Sequence, residues 1–153
     1  LDEAIAAYVR KKYGLIVGQL TAEQVKLKIG AAIPQDEEQS IEIQGQDQVS
    51  GLPRPATITT GEVVEAMDEP LHDIVEVVRR VLEKTPPELI SDIIDRGIAL
   101  TGGGAQLPGM DKFMTKELGV PAYLVDNPTT CVAEGALKSL KMYALIRRNL
   151  PPI

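Results

Sequence analysis

The run Gly97-Ile98-Ala99-Leu100-Thr101-Gly102-Gly103-Gly104-Ala105 decides how this chain is read. A short apolar strand leads straight into three consecutive glycines, and a helical pattern resumes from about Leu107. Glycine has no Cβ and accepts positive φ, so it lets a backbone come close to a flat or anionic group. A helix start just downstream adds unspent N–H groups and the positive end of a dipole. The physical reading is a nucleotide contact at a strand-to-helix turn. No Gly-Lys-Ser/Thr follows, which excludes a Walker loop, and the glycine spacing is not that of the dinucleotide fingerprint. Taken alone, the triplet serves equally well as a tight packing turn.

Downstream of the glycines the pattern predicts a helix at about 107–118, a strand at 121–125 and a helix from 128, with Asn127 as cap and Pro128 in its first turn. Alternating strands and helices imply an α/β layer. Upstream, residues 2–13 read as a helix with Ile5, Tyr8 and Val9 on one face. Thr21 can cap a second helix to about Lys28, with Gln24 completing a capping box. Ser40 to Gln46 and Ala56 to Thr59 read as a strand pair joined through Gly51-Leu52-Pro53. Thr60 then caps a long helix to about Lys84, in which Pro70 predicts a kink or a break. Pro86-Pro87 interrupts helix propagation and marks a boundary.

Composition narrows the function classes. With 153 residues and 44% hydrophobic content the chain can bury a core, built on aliphatic side chains because aromatics are only 3%. The net charge of -6 is uneven: residues 1–88 carry 9 basic and 16 acidic side chains, residues 89–153 carry 7 and 6. That balance disfavours nucleic acid, whose phosphates need a basic face, and gives no support for docking on anionic lipid. A single cysteine forms no internal disulfide and suits a reducing compartment. A chain that starts at Leu1 reads as a piece of a longer one.

The run Thr85-Pro86-Pro87-Glu88-Leu89, with Asp92-Ile93, Asp95-Arg96-Gly97 and Leu100 to Ala105, resembles the C-terminal half of the MreB family of bacterial actin homologues. Asp126-Asn127-Pro128, Cys131-Val132-Ala133, Gly135 and Lys138 are similar to that family's last helix. Asp2-Glu3-Ala4-Ile5, Tyr8-Val9-Arg10, Thr21-Ala22-Glu23 and Gly51-Leu52-Pro53 extend the resemblance over essentially the whole chain. It implies a partial actin-like ATPase (ribonuclease H-like) α/β fold. Residues 1–88 correspond to subdomain IIB, and residues 89–150 to the C-terminal part of subdomain IIA. The family's two phosphate-gripping loops, of Asp-Leu-Gly-Thr and Asp-Ile-Gly-Gly-Gly-Thr type, do not occur in this sequence.

The same resemblance implies an ATP-binding, filament-forming parent that organises cell-wall synthesis and rod shape, cytoplasmic and peripheral at the inner face of the membrane. Its partners would be its own filament subunits and a membrane adaptor resembling RodZ. Membrane contact would come only through elements outside this chain. Magnesium and the attacking water would be organised outside it too, so the sequence carries no catalytic or metal residue to nominate and hydrolysis by this chain is not expected. The nucleotide wall would comprise Glu23, Gln24, Val25 and Lys26 on one helix, lying over the sugar, with Gly102, Gly103, Gly104 and Ala105 under the adenine and its sugar or α-phosphate. By spacing alone, Glu23 and Lys26 are an ordinary exposed helical charge pair. Two rivals stand beside this reading: an interaction module without nucleotide, and another actin-fold ATPase, against which Thr85 to Arg96 speaks.

Other features carry less. His72, the only histidine, reads as an exposed side chain on the long helix, Cys131 as a buried structural thiol, and Asp36-Glu37-Glu38 as a solvated loop tip. The apolar faces of helices 61–84 and 128–146 read as core. Residues 89–150 supply only two strands, so an unpaired sheet edge and self-association through this half are expected, with residues 1–88 folding as a self-contained unit.

Overall fold

The computed structural model describes residues 1–143 and Arg147. The end of the helix read as 128–146, Arg148 and the tail from Leu150 lie outside the described residues. Helix α1 (Asp2–Tyr13) carries its acids in the first turn and its bases in the last, complementing the helix dipole, and ends on Gly14 in the left-handed region. Strand β1 (Leu15–Ile16) pairs antiparallel with β2 (Ser40–Asp47), which pairs antiparallel with β3 (Pro53–Thr59). The expected strand pair is therefore a three-stranded sheet. The extra strand has two residues, too few for alternation to reveal.

Helix α2 (Gln19–Ile29) starts two residues before the proposed Thr21 cap. The Gly18 carbonyl accepts the N–H groups of Thr21 and Ala22, both at 3.1 Å, so Thr21 lies inside the first turn and its capping role is withdrawn. Helix α3 (Thr60–Glu83) is capped by Thr59, not Thr60: Thr59 and Glu62 form a reciprocal capping box, with the Thr59 N–H donating to Glu62 Oε2 at 2.8 Å. Thr60 is buried and bonds the Gln39 backbone. Pro70 does not break α3. It removes one N–H, while Met67 and Leu71 on either side are fully buried and each contributes about 1.5–3 kcal/mol.

Beyond the two prolines come α4 (Pro87–Arg96), β4 (Ile98–Leu100), a 3-10 turn (Gly103–Gln106), α5 (Met110–Leu118), β5 (Ala122–Leu124) and α6 (Cys131–Lys141). Strands β4 and β5 pair in parallel, Ile98 opposite Ala122 and Leu100 opposite Leu124, as a crossover through α5 requires. Among the described residues neither strand has a second partner. Helix α5 starts three residues late because Pro108 is followed by Gly109 at φ 78. Helix α6 starts at Cys131 rather than 128. Asn127 adopts φ 51 and its carbonyl accepts the N–H groups of Thr130 and Cys131, so Pro128 to Thr130 form a turn.

One apolar cluster joins both parts of the chain. Ile5, Val9, Val25, Ile43, Ile58, Val63, Met67 and Leu71 are continuous with Leu100, Leu107, Met110, Phe113 and Met114. Helices α4 and α6 bury no residue among those described. Residues 132–143 are solvent-exposed, contrary to the core role read from the spacing of 128–146, while Pro128 before them is buried.

Candidate functional site

On α2 the buried stripe is Ala22, Val25 and Ile29. Helical spacing turns Glu23, Lys26 and Leu27 out of that stripe. The opposing wall comes from the glycine run. Gly102, at φ 87, donates its N–H to the Pro128 carbonyl at 2.7 Å and opens the 3-10 turn. A Cβ built on Gly103 or Gly104 meets no atom within 4 Å, so both backbones border open space.

Two contacts hold this turn against α2. The Ala32 N–H, just past α2, donates to the Pro108 carbonyl at 2.8 Å. Gly109 also lies against Ile33, where a Cβ would come within 2.5 Å of Cγ1. Between the two walls is a cavity of about 300 Å³, bordered by Glu23, Lys26 and Leu27 on α2 and by Gly103, Gly104, Gln106, Leu107 and Pro108. Leu1 borders it as well. The size falls at the lower bound of small-ligand sites, roughly 300–1,000 Å³.

The structure therefore brings together Glu23, Lys26, Gly103 and Gly104 from segments about 80 residues apart in sequence. Four other candidates are not on the cavity. Val25 is in the core at 1% exposure, because it belongs to the buried stripe. Gln24 is exposed, but away from the cavity. Gly102 is spent on the turn itself, and Ala105 packs against the core. Glu23 and Lys26 are not simply a solvated pair with each other, since the Lys26 ammonium lies 2.8 Å from Asp2 Oδ1 at the start of α1. Asp2, Leu27 and Gln106 escape sequence reasoning. A leucine on the exposed face of α2 was the one available signal, and Leu27 is 74% exposed, as Leu20 seven residues earlier is at 76%.

The remaining charged groups serve the fold. Glu62 accepts hydrogen bonds from Tyr13 at 2.6 Å and from Thr59, and pairs with Lys12 at 2.7 Å. Burial pushes its carboxyl up, but these donors outweigh burial and hold it below the usual range. Asp47 is held at about 2, chiefly by the backbone N–H groups of Ser50 and Val49 in the β2–β3 turn, and less by Arg54. His72 is exposed and meets Phe113 edge-on at 5.4 Å. Cys131 is half-buried rather than buried, its thiol 3.5 Å from the Pro128 carbonyl. Among the described residues no helix is long and apolar enough to cross a membrane.

Comparison with known proteins matches residues 1–148 to the profile of the MreB/Mbl protein family. The cell shape-determining protein MreB of Escherichia coli (strain K12) is 48% identical over 141 residues, 92% of this chain and 41% of that protein. Crystal structures of MreB5 of Spiroplasma citri include one bound to ADP; it superposes with a TM-score of 0.91 at 36% identity, covering 97% of this chain and 45% of that one. The MamK double helical filament shares the fold at 22% identity with a TM-score of 0.75. The chain thus spans about two fifths of the length of the curated relatives it matches.

Proposed function

The chain belongs to the MreB/Mbl family of actin-like, cell shape-determining proteins, and on that premise we propose that it forms the nucleoside-facing wall of an ATP site in a filament-forming bacterial actin. The observation that carries this reading is the convergence of Glu23 and Lys26 on α2 with Gly103 and Gly104 on one cavity of about 300 Å³. The glycines offer a flat backbone surface on which a planar base can lie. The Glu23 carboxylate is an acceptor suited to ribose hydroxyls, and the Lys26 ammonium is a donor beside it. The donor set fits a nucleoside. ATP itself, with magnesium, would supply the phosphoanhydride whose cleavage such proteins couple to assembly.

In the same reading, residues 1–88 are the subdomain IIB part and residues 89–150 the C-terminal part of IIA. The parent would polymerise with like subunits, as MamK does, and organise wall growth at the inner face of the membrane through an adaptor resembling RodZ. ADP binding by MreB5 of Spiroplasma citri supports the ligand class. The test is an ¹⁵N NMR titration of the 153-residue chain with ADP. Saturable shifts in the amides of Glu23, Lys26, Gly103 and Gly104 at roughly millimolar ligand are expected, because one wall of a cleft supplies only part of the burial a tight site needs. Shifts confined to other segments would overturn the reading.

A further inference from the structure

Resting on the nucleotide reading above, we propose that Asp2 is a positioning and specificity residue of this site: it neutralises and holds Lys26, so that the wall selects the uncharged base and ribose over phosphate. The Lys26 ammonium is 2.8 Å from Asp2 Oδ1, and the two side chains are only 20% and 23% exposed. Asp2 Oδ1 is itself fully buried and makes no aligned hydrogen bond, so its close contact with Lys26 is one of charge. Asp2 is the first residue of α1, and Lys26 lies two turns into α2. The pair therefore links the helix that enters the molecule beside the cavity to the helix that covers it.

The consequence is electrostatic. Among the described residues the charged side chains that border the cavity are Glu23 and Lys26; the rest of its lining is leucine, glycine, glutamine and proline, and one of the leucines, Leu1, also carries the α-ammonium group. Asp2 and Lys26 cancel each other, so Glu23 and the Leu1 α-ammonium are the charges left at the cavity. A free ammonium on a four-carbon stem seeks phosphate as a point charge. An ammonium tied to a half-buried carboxylate is both neutralised and fixed in direction, and the neighbouring Glu23 then repels phosphate while still accepting from hydroxyls. Asp2 thus sets which part of a nucleotide the wall recognises, although it does not itself border the cavity.

The test compares adenosine with ATP, without magnesium, by NMR titration of the full 153-residue chain and its variants. In the unsubstituted chain adenosine should bind at least as tightly as ATP. Asp2→Asn should shift the preference towards ATP by fivefold or more, and Asp2→Glu should restore the original ratio. In a Lys26→Gln background the Asp2→Asn effect should vanish, because no ammonium is left to release. A fold-only role for Asp2 would weaken both ligands alike and leave the ratio unmoved. Binding of both ligands with an unchanged ratio in Asp2→Asn would overturn this proposal and leave the nucleotide reading intact. Failure of either ligand to perturb Glu23 or Gly103 would overturn the nucleotide reading, and the role of Asp2 with it.

Discussion

A Cβ on Gly109 would stand 2.5 Å from Ile33 Cγ1, so the backbone at the start of α5 rests directly on the loop that follows α2. This contact presses the glycine-turn segment onto the helix that supplies Glu23 and Lys26. Gly109 is also at φ 78, where a side chain is strained whatever space it finds. Gly109→Ala should therefore lower unfolding free energy by roughly 2–4 kcal/mol, combining backbone strain with overpacking. Urea denaturation reads this directly. A loss of less than half a kcal/mol would mean that the two segments are not in contact in solution.

Glu62 joins the end of α1 to the start of α3 through Tyr13, Lys12 and Thr59. Its carboxyl titrates below the usual range in the folded chain, so its contribution to stability is complete above about pH 4.5 and is lost as pH falls through the lowered value. Glu62→Gln should flatten that part of the acid limb of the stability–pH curve. Glu62→Ala should cost roughly 1–3 kcal/mol at neutral pH through the lost cap and the unsatisfied donors. An unchanged acid limb in Glu62→Gln would assign the acid sensitivity to other carboxylates.

The chain exposes 10629 Å², whereas a closed domain of 16.5 kDa exposes about 7,500 Å². On α4, α6 and the two-stranded β4–β5 sheet, Leu89, Ile94, Tyr123, Leu124, Leu137 and Leu140 are exposed. An interface of standard size buries about 800 Å² on each partner, and open strand edges template pairing with another chain. Self-association at high micromolar concentration is expected by light scattering, and Leu137→Glu with Leu140→Glu should reduce it. A monodisperse monomer, with β4 and β5 amides protected from exchange, would contradict this.

Gly103 does not adopt positive φ and has open space where a Cβ would stand. Gly103→Val should therefore change stability by no more than about 1 kcal/mol, while the branched side chain fills the space a base would occupy. ADP-induced shifts should weaken at least tenfold with the amide spectrum otherwise preserved. Unaltered ADP binding would remove the glycine turn from the site.

Much of this was legible from residue types and spacing, because the governing interactions are local. The amphipathic helices α1 and α3, the β2–β3 pair and the strand-to-glycine turn all announce themselves within a dozen residues. What stayed hidden depends on distant partners. Two-residue β1 exists only because Asp47 and Gln46 pair with it. The start of α6 was misplaced because Asn127 turned left-handed instead of capping a helix at Pro128. At the site, spacing on α2 isolated Glu23 and Lys26 as a pair, but only the folded chain separates them from Val25, which faces the core. Asp2 could not be foreseen: it lies a whole helix and strand away from Lys26 in sequence and meets it only through the packing of α1 on α2.

Photolabelling with 8-azido-ADP, followed by peptide mapping of the 153-residue chain, tests the nucleotide wall most directly. Labels on peptides holding residues 23–27 and 103–108, suppressed by excess ADP, are the expected result, since these segments border the cavity between α2 and the glycine turn. Labels that ADP does not suppress, or that fall on the larger groove formed by Arg10, Lys11, Ile16 and Gln48, would contradict the account.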